Sequence, residues 1–221
     1  MTPMTSLHLH RGTRRFFSAL LLIAASHCAV AQTGTEAVIS KVEVQLVTAP
    51  AISFSYSGRS LSSPVSPSKK WMEIETTFAW QPLSGTDLYS DDLTVDYYVL
   101  LNNQSIKYPQ GALLIGKTAL SGVPAKSLDQ KNGELKTVIY VSSRSLERLF
   151  GGKVPSDANA AVKDIGVTIS KQGQVIAQKS LHGTVGWWPQ FQQTPGFLLN
   201  KSETPFAPLN WDYYEAVKKQ Q

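Results

Sequence analysis

Glu73 and Glu75 stand two residues apart in the segment Trp71-Met-Glu-Ile-Glu-Thr-Thr-Phe-Ala-Trp80. On an extended strand that spacing turns both carboxylates to one side. A retaining glycosidase needs two carboxyls about 5–5.5 Å apart across a cleft, but a pair on one strand reads more simply as neighbours on a solvated sheet face. Asp87, Asp91, Asp92 and Asp96 crowd a second short stretch. Oxygen ligands so placed suit calcium in principle, yet their spacing is not that of an EF-hand, and the stretch reads as an acidic loop. Trp187-Trp188-Pro189 offers two adjacent indoles, the kind of platform on which a sugar ring stacks, or an anchor for a core or hinge.

Histidine and cysteine narrow the chemistry further. Of the four histidines, His8, His10 and His27 lie in the first 31 residues, so only His182 is left to act as the base of a Ser-His-Asp triad. It sits at the end of an expected strand before Gly183, with no G-x-S-x-G elbow in the chain, and reads as a strand-end residue. The single cysteine, Cys28, is also in that N-terminal stretch. The sequence beyond it therefore has no cysteine nucleophile, disulfide, Cys-containing zinc site or cysteine-ligated cluster, and we expect no cofactor or metal. Neither G-x-G-x-x-G nor a P-loop pattern occurs.

That N-terminal stretch reads as an export signal. Thr13-Arg14-Arg15 precedes the apolar run Phe16-Phe-Ser-Ala-Leu-Leu-Leu-Ile-Ala-Ala-Ser26, and Ala29-Val30-Ala31 supplies small residues at −3 and −1 of a cut before Gln32. The run falls short of the roughly 20 residues that span a bilayer, so no membrane span is expected after cleavage. The paired arginines also suit a twin-arginine route. His27 before Cys28 argues against a lipoprotein cut, and Thr13-Arg14-Arg15 after Gly12, which would put two charges at the head of the helix, argues against a prepilin. The expected product is exported to the periplasm, outer surface or medium. Export also alters the charge argument. The whole chain carries +5, but three of its 21 cations and none of its 16 acids lie in residues 1–31, leaving only +2 beyond them. A nucleic-acid partner, which needs a concentrated basic surface, is not expected.

The elements that must position these residues are mostly strands. Period-two alternation runs through residues 37–47, 52–56, 71–80, 93–101, 112–120, 135–142, 161–169 and 174–180. In the first, Val38, Val42, Val44 and Leu46 are expected on the buried face. A loop rich in Ser and Pro covers 57–68, and Ser170-Lys-Gln-Gly173 reads as a hairpin turn. Residues 143–150 form the one clear helical pattern, stopped by Gly151-Gly152, with a short turn at 158–162. Many short strands without alternating long helices predict an antiparallel β-sandwich over residues 32–185, with a closed barrel as the alternative.

From residue 186 the composition changes. Eight aromatics (Trp187, Trp188, Phe191, Phe197, Phe206, Trp211, Tyr213 and Tyr214) fall in 36 residues, against eleven in the preceding 154. Each can bury about 150–250 Å². Pro189, Pro195, Pro205 and Pro208 keep the segment extended, and Asp212-x-x-Glu215 suggests a short closing helix. Residues 186–221 are therefore expected to lie on the sandwich or to dock on a partner. Trp187, Trp188, Phe191, Phe206, Trp211, Tyr213 and Tyr214 are the candidate interaction surface.

The segment Gly196-Phe-Leu-Leu-Asn200-Lys-Ser-Glu-Thr-Pro205-Phe-Ala-Pro208-Leu-Asn-Trp211-Asp-Tyr-Tyr-Glu215 resembles the C-terminal signature of a family of secreted verrucomicrobial proteins. Its members are described as type IV pilus-like or pilus-associated, with an immunoglobulin-like fold. The likeness spans roughly residues 186–218. It implies an immunoglobulin-like, non-enzymatic envelope protein that meets protein partners of a pilus or envelope system. A carbohydrate-binding or adhesive module using the same aromatics is the rival reading, with glycans as partners.

Overall fold

The computed structural model describes residues 36–50, 53–56, 59–62, 69–83, 88–126, 134–210, 214 and 216–217. The expected export signal with Cys28, and also Asp87, Trp211 and Tyr213, lie outside the described residues. Fourteen strands and two short helices appear among them: β1 (Ala37–Thr48), β2 (Ser53–Tyr56), β3 (Arg59–Ser62), β4 (Lys70–Trp80), β5 (Tyr89–Ser90), β6 (Leu93–Leu101), β7 (Leu113–Ser121), β8 (Val123–Pro124), β9 (Leu135–Val141), α1 (Ser143–Leu149), α2 (Ala158–Ala161), β10 (Val162–Lys171), β11 (Gln174–Ser180), β12 (Gln193–Pro195), β13 (Leu198–Asn200) and β14 (Ala216–Val217).

Two sheets carry the structure. One has the order β1-β4-β9-β13; the other runs β11-β10-β6-β7-β12, with β14 also paired to β7. The chain pairs β1 with β4, crosses to β6 and β7, returns to β9 beside β4, and crosses again to β10 and β11, the Greek-key wiring of an immunoglobulin-like sandwich. It is the predicted class. β2–β3 and β5–β8 form small separate pairs. Alternation explains the core between the sheets. Met72, Ile74, Phe78 and Trp80 of β4 meet Val95, Tyr97 and Val99 of β6 and Ile165, Val167 and Ile169 of β10, all essentially without solvent contact. The α1 helix begins at Ser142, whose hydroxyl accepts from the Ser145 N–H at 3.1 Å, and it pushes Leu146 and Leu149 into the same core.

Three expectations need correction. The β1 face changes partway: Ala37 and Ile39 are buried and Val38 is 54% exposed, whereas Val42 and Val44 are buried as expected. A bulge at Ser40 inserts one residue between Ile39 and Lys41, and a one-residue shift exchanges the two faces. Residues 59–62, expected within a loop, form β3 against β2. The closing helix is not formed at Ala216–Val217, which pair antiparallel with Leu120 and Ser121 as β14. The D-x-x-E cue was local, while β7 offered an unpaired edge.

Candidate functional site

The aromatic segment wraps the sandwich from outside, and each contact follows from a local feature. After β11 the chain turns under Asp164, a 9%-exposed carboxylate on β10. Asp164 accepts from the backbone N–H groups of Ile165 at 2.8 Å and His182 at 3.0 Å, and from the Ser180 hydroxyl at 2.7 Å. Ser180 Oγ in turn accepts from the Trp187 indole Nε1–H at 3.0 Å. Ser180, His182 and Asp164 thus meet, but His182 contributes its backbone, and the serine proton points at the carboxylate. The trio orients a turn rather than activating a nucleophile.

Trp188 then lies flat on the outer face of the β11-β10-β6-β7 sheet. Its ring stacks on Tyr98 at 4.7 Å and 9°. Gly166, cross-strand from Tyr98, makes room: a Cβ there would sit 2.4 Å from the indole. Trp187 meets Trp188 edge-on at 79° and Phe191 at 88°. With Leu100, Leu113 and Ile115 these rings form a second apolar cluster. Burial and the nearby Asp96 charge raise the Tyr98 phenol above its ordinary value.

The chain next crosses from one sheet to the other. β12 pairs in parallel with Leu113–Ile115 of β7, and β13 pairs antiparallel with Ile139–Val141 of β9. Gly116 lets the two sheets approach at this point, because a Cβ there would fall 2.6 Å from Leu198 Cβ. Thr118 Oγ1 donates to Asn200 Oδ1 at 2.6 Å, and the Asn200 N–H donates to Glu203 at 2.8 Å, starting a short 3-10 turn.

That turn delivers Phe206 onto the outer face of the β1-β4-β9 sheet. Phe206 stacks on Tyr140 at 4.6 Å and 1° and meets Trp71 edge-on. Here lie the two glutamates. Glu73 accepts from Gln45 Nε2 at 2.6 Å and from the Tyr140 hydroxyl at 2.7 Å. Glu75 accepts from Lys136 Nζ at 2.6 Å and from the Tyr214 hydroxyl at 2.8 Å. Lys201, 8% exposed, places its ammonium 4.8 Å from the Tyr214 ring centre. The solvated face expected for this pair is therefore a covered one, because the tail lies over it. Burial, then the hydrogen bond and charge of Glu73, push the Tyr140 phenol well above its usual value.

Of the candidate surface, Trp188 and Phe206 are buried against the chain's own sheets at 6% and 5% exposure. Trp187, Phe191 and Tyr214 are half-buried beside them, and Trp211 and Tyr213 lie outside the described residues. Two mutually perpendicular indoles, one pinned by Ser180, do not make the flat platform a sugar needs. In the acidic loop, Asp91 accepts from Ser121 Oγ and the Gly122 N–H, and Asp96 pairs with Lys117 at 3.5 Å. Among the described residues no group of three or more His, Cys, Asp or Glu is placed to hold a metal, and no helix is long and apolar enough to cross a membrane. The sequence reading missed the seats Gly166, Gly116, Tyr98 and Tyr140. A glycine inside an alternating strand was the available signal.

One protein-family model matches residues 29–221. No curated protein matches the sequence. Among solved structures, the crystal structure of a protein from Akkermansia muciniphila superposes with a TM-score of 0.65 at 22% identity, covering 85% of this chain and 95% of that one. At that identity the likeness speaks for the sandwich fold.

Proposed function

The chain belongs to the family whose model covers residues 29–221, and from that premise we propose that it is an exported, non-enzymatic module of the cell envelope. In this reading it binds protein partners of a pilus-like or other envelope assembly, and the N-terminal segment directs export. The observation that carries the non-enzymatic reading is the occupancy of the one glutamate pair on β4. Both carboxylates are bonded on each side to Gln45, Tyr140, Lys136 and Tyr214. A catalytic pair must instead face a cleft that admits substrate and water. The second support is the family match, with its structural relative from a verrucomicrobial organism.

Crosslinking in intact producing cells, followed by identification of neighbours, tests the reading. Reproducible capture of envelope or pilus-type proteins is the expected result. Recovery of glycan adducts alone, or a glycan-hydrolysing activity abolished by Glu73→Gln, overturns it.

A further inference from the structure

Where α1 meets the tail, a cleft of about 380 Å³ is lined by Ser142, Arg144, Ser145, Arg148, Gly196 and Phe197, with Pro195 at its margin. Arg144 and Arg148 are one helical turn apart and both exposed, so their guanidinium groups share one side of the helix. Neither is ion-paired among the described residues, and no carboxylate lines the cleft. The Arg148 guanidinium rests 5.7 Å from the Phe197 ring centre, so the tail itself holds one of the two cations in place. Other clefts differ in charge. The one at Glu36, Lys126 and Glu134 carries both signs, and the one beside Tyr98 holds Asp96 together with Lys117.

We propose that this cleft is a docking site for an acidic segment of a partner protein, whose Asp or Glu carboxylates are gripped by Arg144 and Arg148. This rests on the protein-partner reading above and gives that partner a chemistry. Planar guanidinium forks match carboxylates two bonds at a time. Two such forks one turn apart fit a run of acidic side chains better than a lone anion. Phe197 and Pro195 offer the peptide's aliphatic stems an apolar floor. Because both arginines are exposed, the contact is screened by salt and weakens as ionic strength rises.

The test titrates the purified protein with an octaglutamate peptide, followed by calorimetry and by NMR of the arginine side chains. Sodium sulfate and a sulfated oligosaccharide are run in parallel. Saturable octaglutamate binding that moves the Arg144 and Arg148 signals, and weakens at least tenfold in Arg144→Glu/Arg148→Glu, is expected. Because Arg148 also packs on Phe197, Arg144→Glu alone serves as a second variant; it should weaken binding with the thermal midpoint unchanged. Absence of saturable binding, binding undiminished in both variants, or preference for the sulfated oligosaccharide at these arginines overturns the proposal. If crosslinking captures envelope proteins that the double variant still captures, the cleft assignment fails and the envelope reading stands. If octaglutamate binds at the arginines but cells yield no protein neighbour, the envelope reading fails instead.

Discussion

Along the side of the sandwich formed by β7 and β9, the unpaired backbone of each sheet is met by a short strand from the aromatic segment: β12 and β14 on β7, β13 on β9. Along the side formed by β1 and β11, no further strand among the described residues adds on to either sheet. There the edges are blunted. A bulge interrupts β1 at Ser40, and a register shift interrupts β11 opposite Ile169 and Ser170. Lys179 reaches from β11 to the Ser40 carbonyl at 2.8 Å, and Lys41 pairs with Glu43 beside it. Bulges and edge lysines are both ways of discouraging a foreign strand. The contrast teaches that one side is closed by bonding and apolar cover, the other by deterrence, so the two should fail differently when altered.

The largest effect should come from removing residues 186–221. Losing Trp188 and Phe206 alone forfeits roughly 3–6 kcal/mol of apolar burial, against a total stability of about 5–15 kcal/mol for a domain. It also exposes two strand edges. The truncated chain should aggregate or melt far lower in a thermal scan. An unchanged midpoint would show that the segment is a detachable arm and erase the contrast.

Trp188→Ala should cost about 3–5 kcal/mol, the range for a buried indole. Gly166→Ala should cost about 1–3 kcal/mol by overpacking the same seat. Denaturant midpoints measure both, and tryptophan fluorescence reports whether the ring leaves Tyr98. Equal, near-zero effects would mean that strand pairing rather than the aromatic seat holds this side.

Alkaline pH should loosen the closed side through Tyr140. Its phenol is held neutral in the fold above its ordinary range. Its contribution is therefore fully present below the unfolded value near 10 and falls as pH rises from there toward the folded value. The buried Tyr97, pushed up to about 12 by desolvation, adds to the same trend from the core. Thermal midpoints should decline above about pH 10, and less steeply in Tyr140→Phe. A decline of identical slope would remove Tyr140 from the account.

The smallest effect on stability belongs to the open side. Lys41→Thr with Lys179→Thr should change stability by no more than about 0.5 kcal/mol, yet raise light scattering on standing. A variant that stays clear would show that the bulges suffice without the lysines.

How much of this was legible depended on range. The long strands, the sandwich and α1 follow from alternation and from a short amphipathic pattern closed by two glycines. The face exchange in β1 was hidden because nothing in the Ser40 side chain announces a bulge. The fate of Glu73 and Glu75 was hidden because Tyr214, which bonds Glu75, lies 139 residues away. Composition revealed that the aromatic segment had to be covered, but not that Gly166 and Tyr98 would do it on one face and Tyr140 on the other. Ala216 and Val217 read as helix by local spacing and became strand because an edge was open to them. Periodicity reports what a segment prefers; seats made by distant residues decide where it goes.

The clasp also sets an order of events. β12, β13 and β14 are synthesised after every strand they complete, and each pairs with a partner far upstream. Contacts of such sequence separation form slowly. Until those short strands pair, a sandwich of the upstream strands has open backbone edges on β7 and β9 and uncovered outer faces. A molecule cut beyond Gly186 would keep those edges open, and unpaired strand edges invite pairing with another chain.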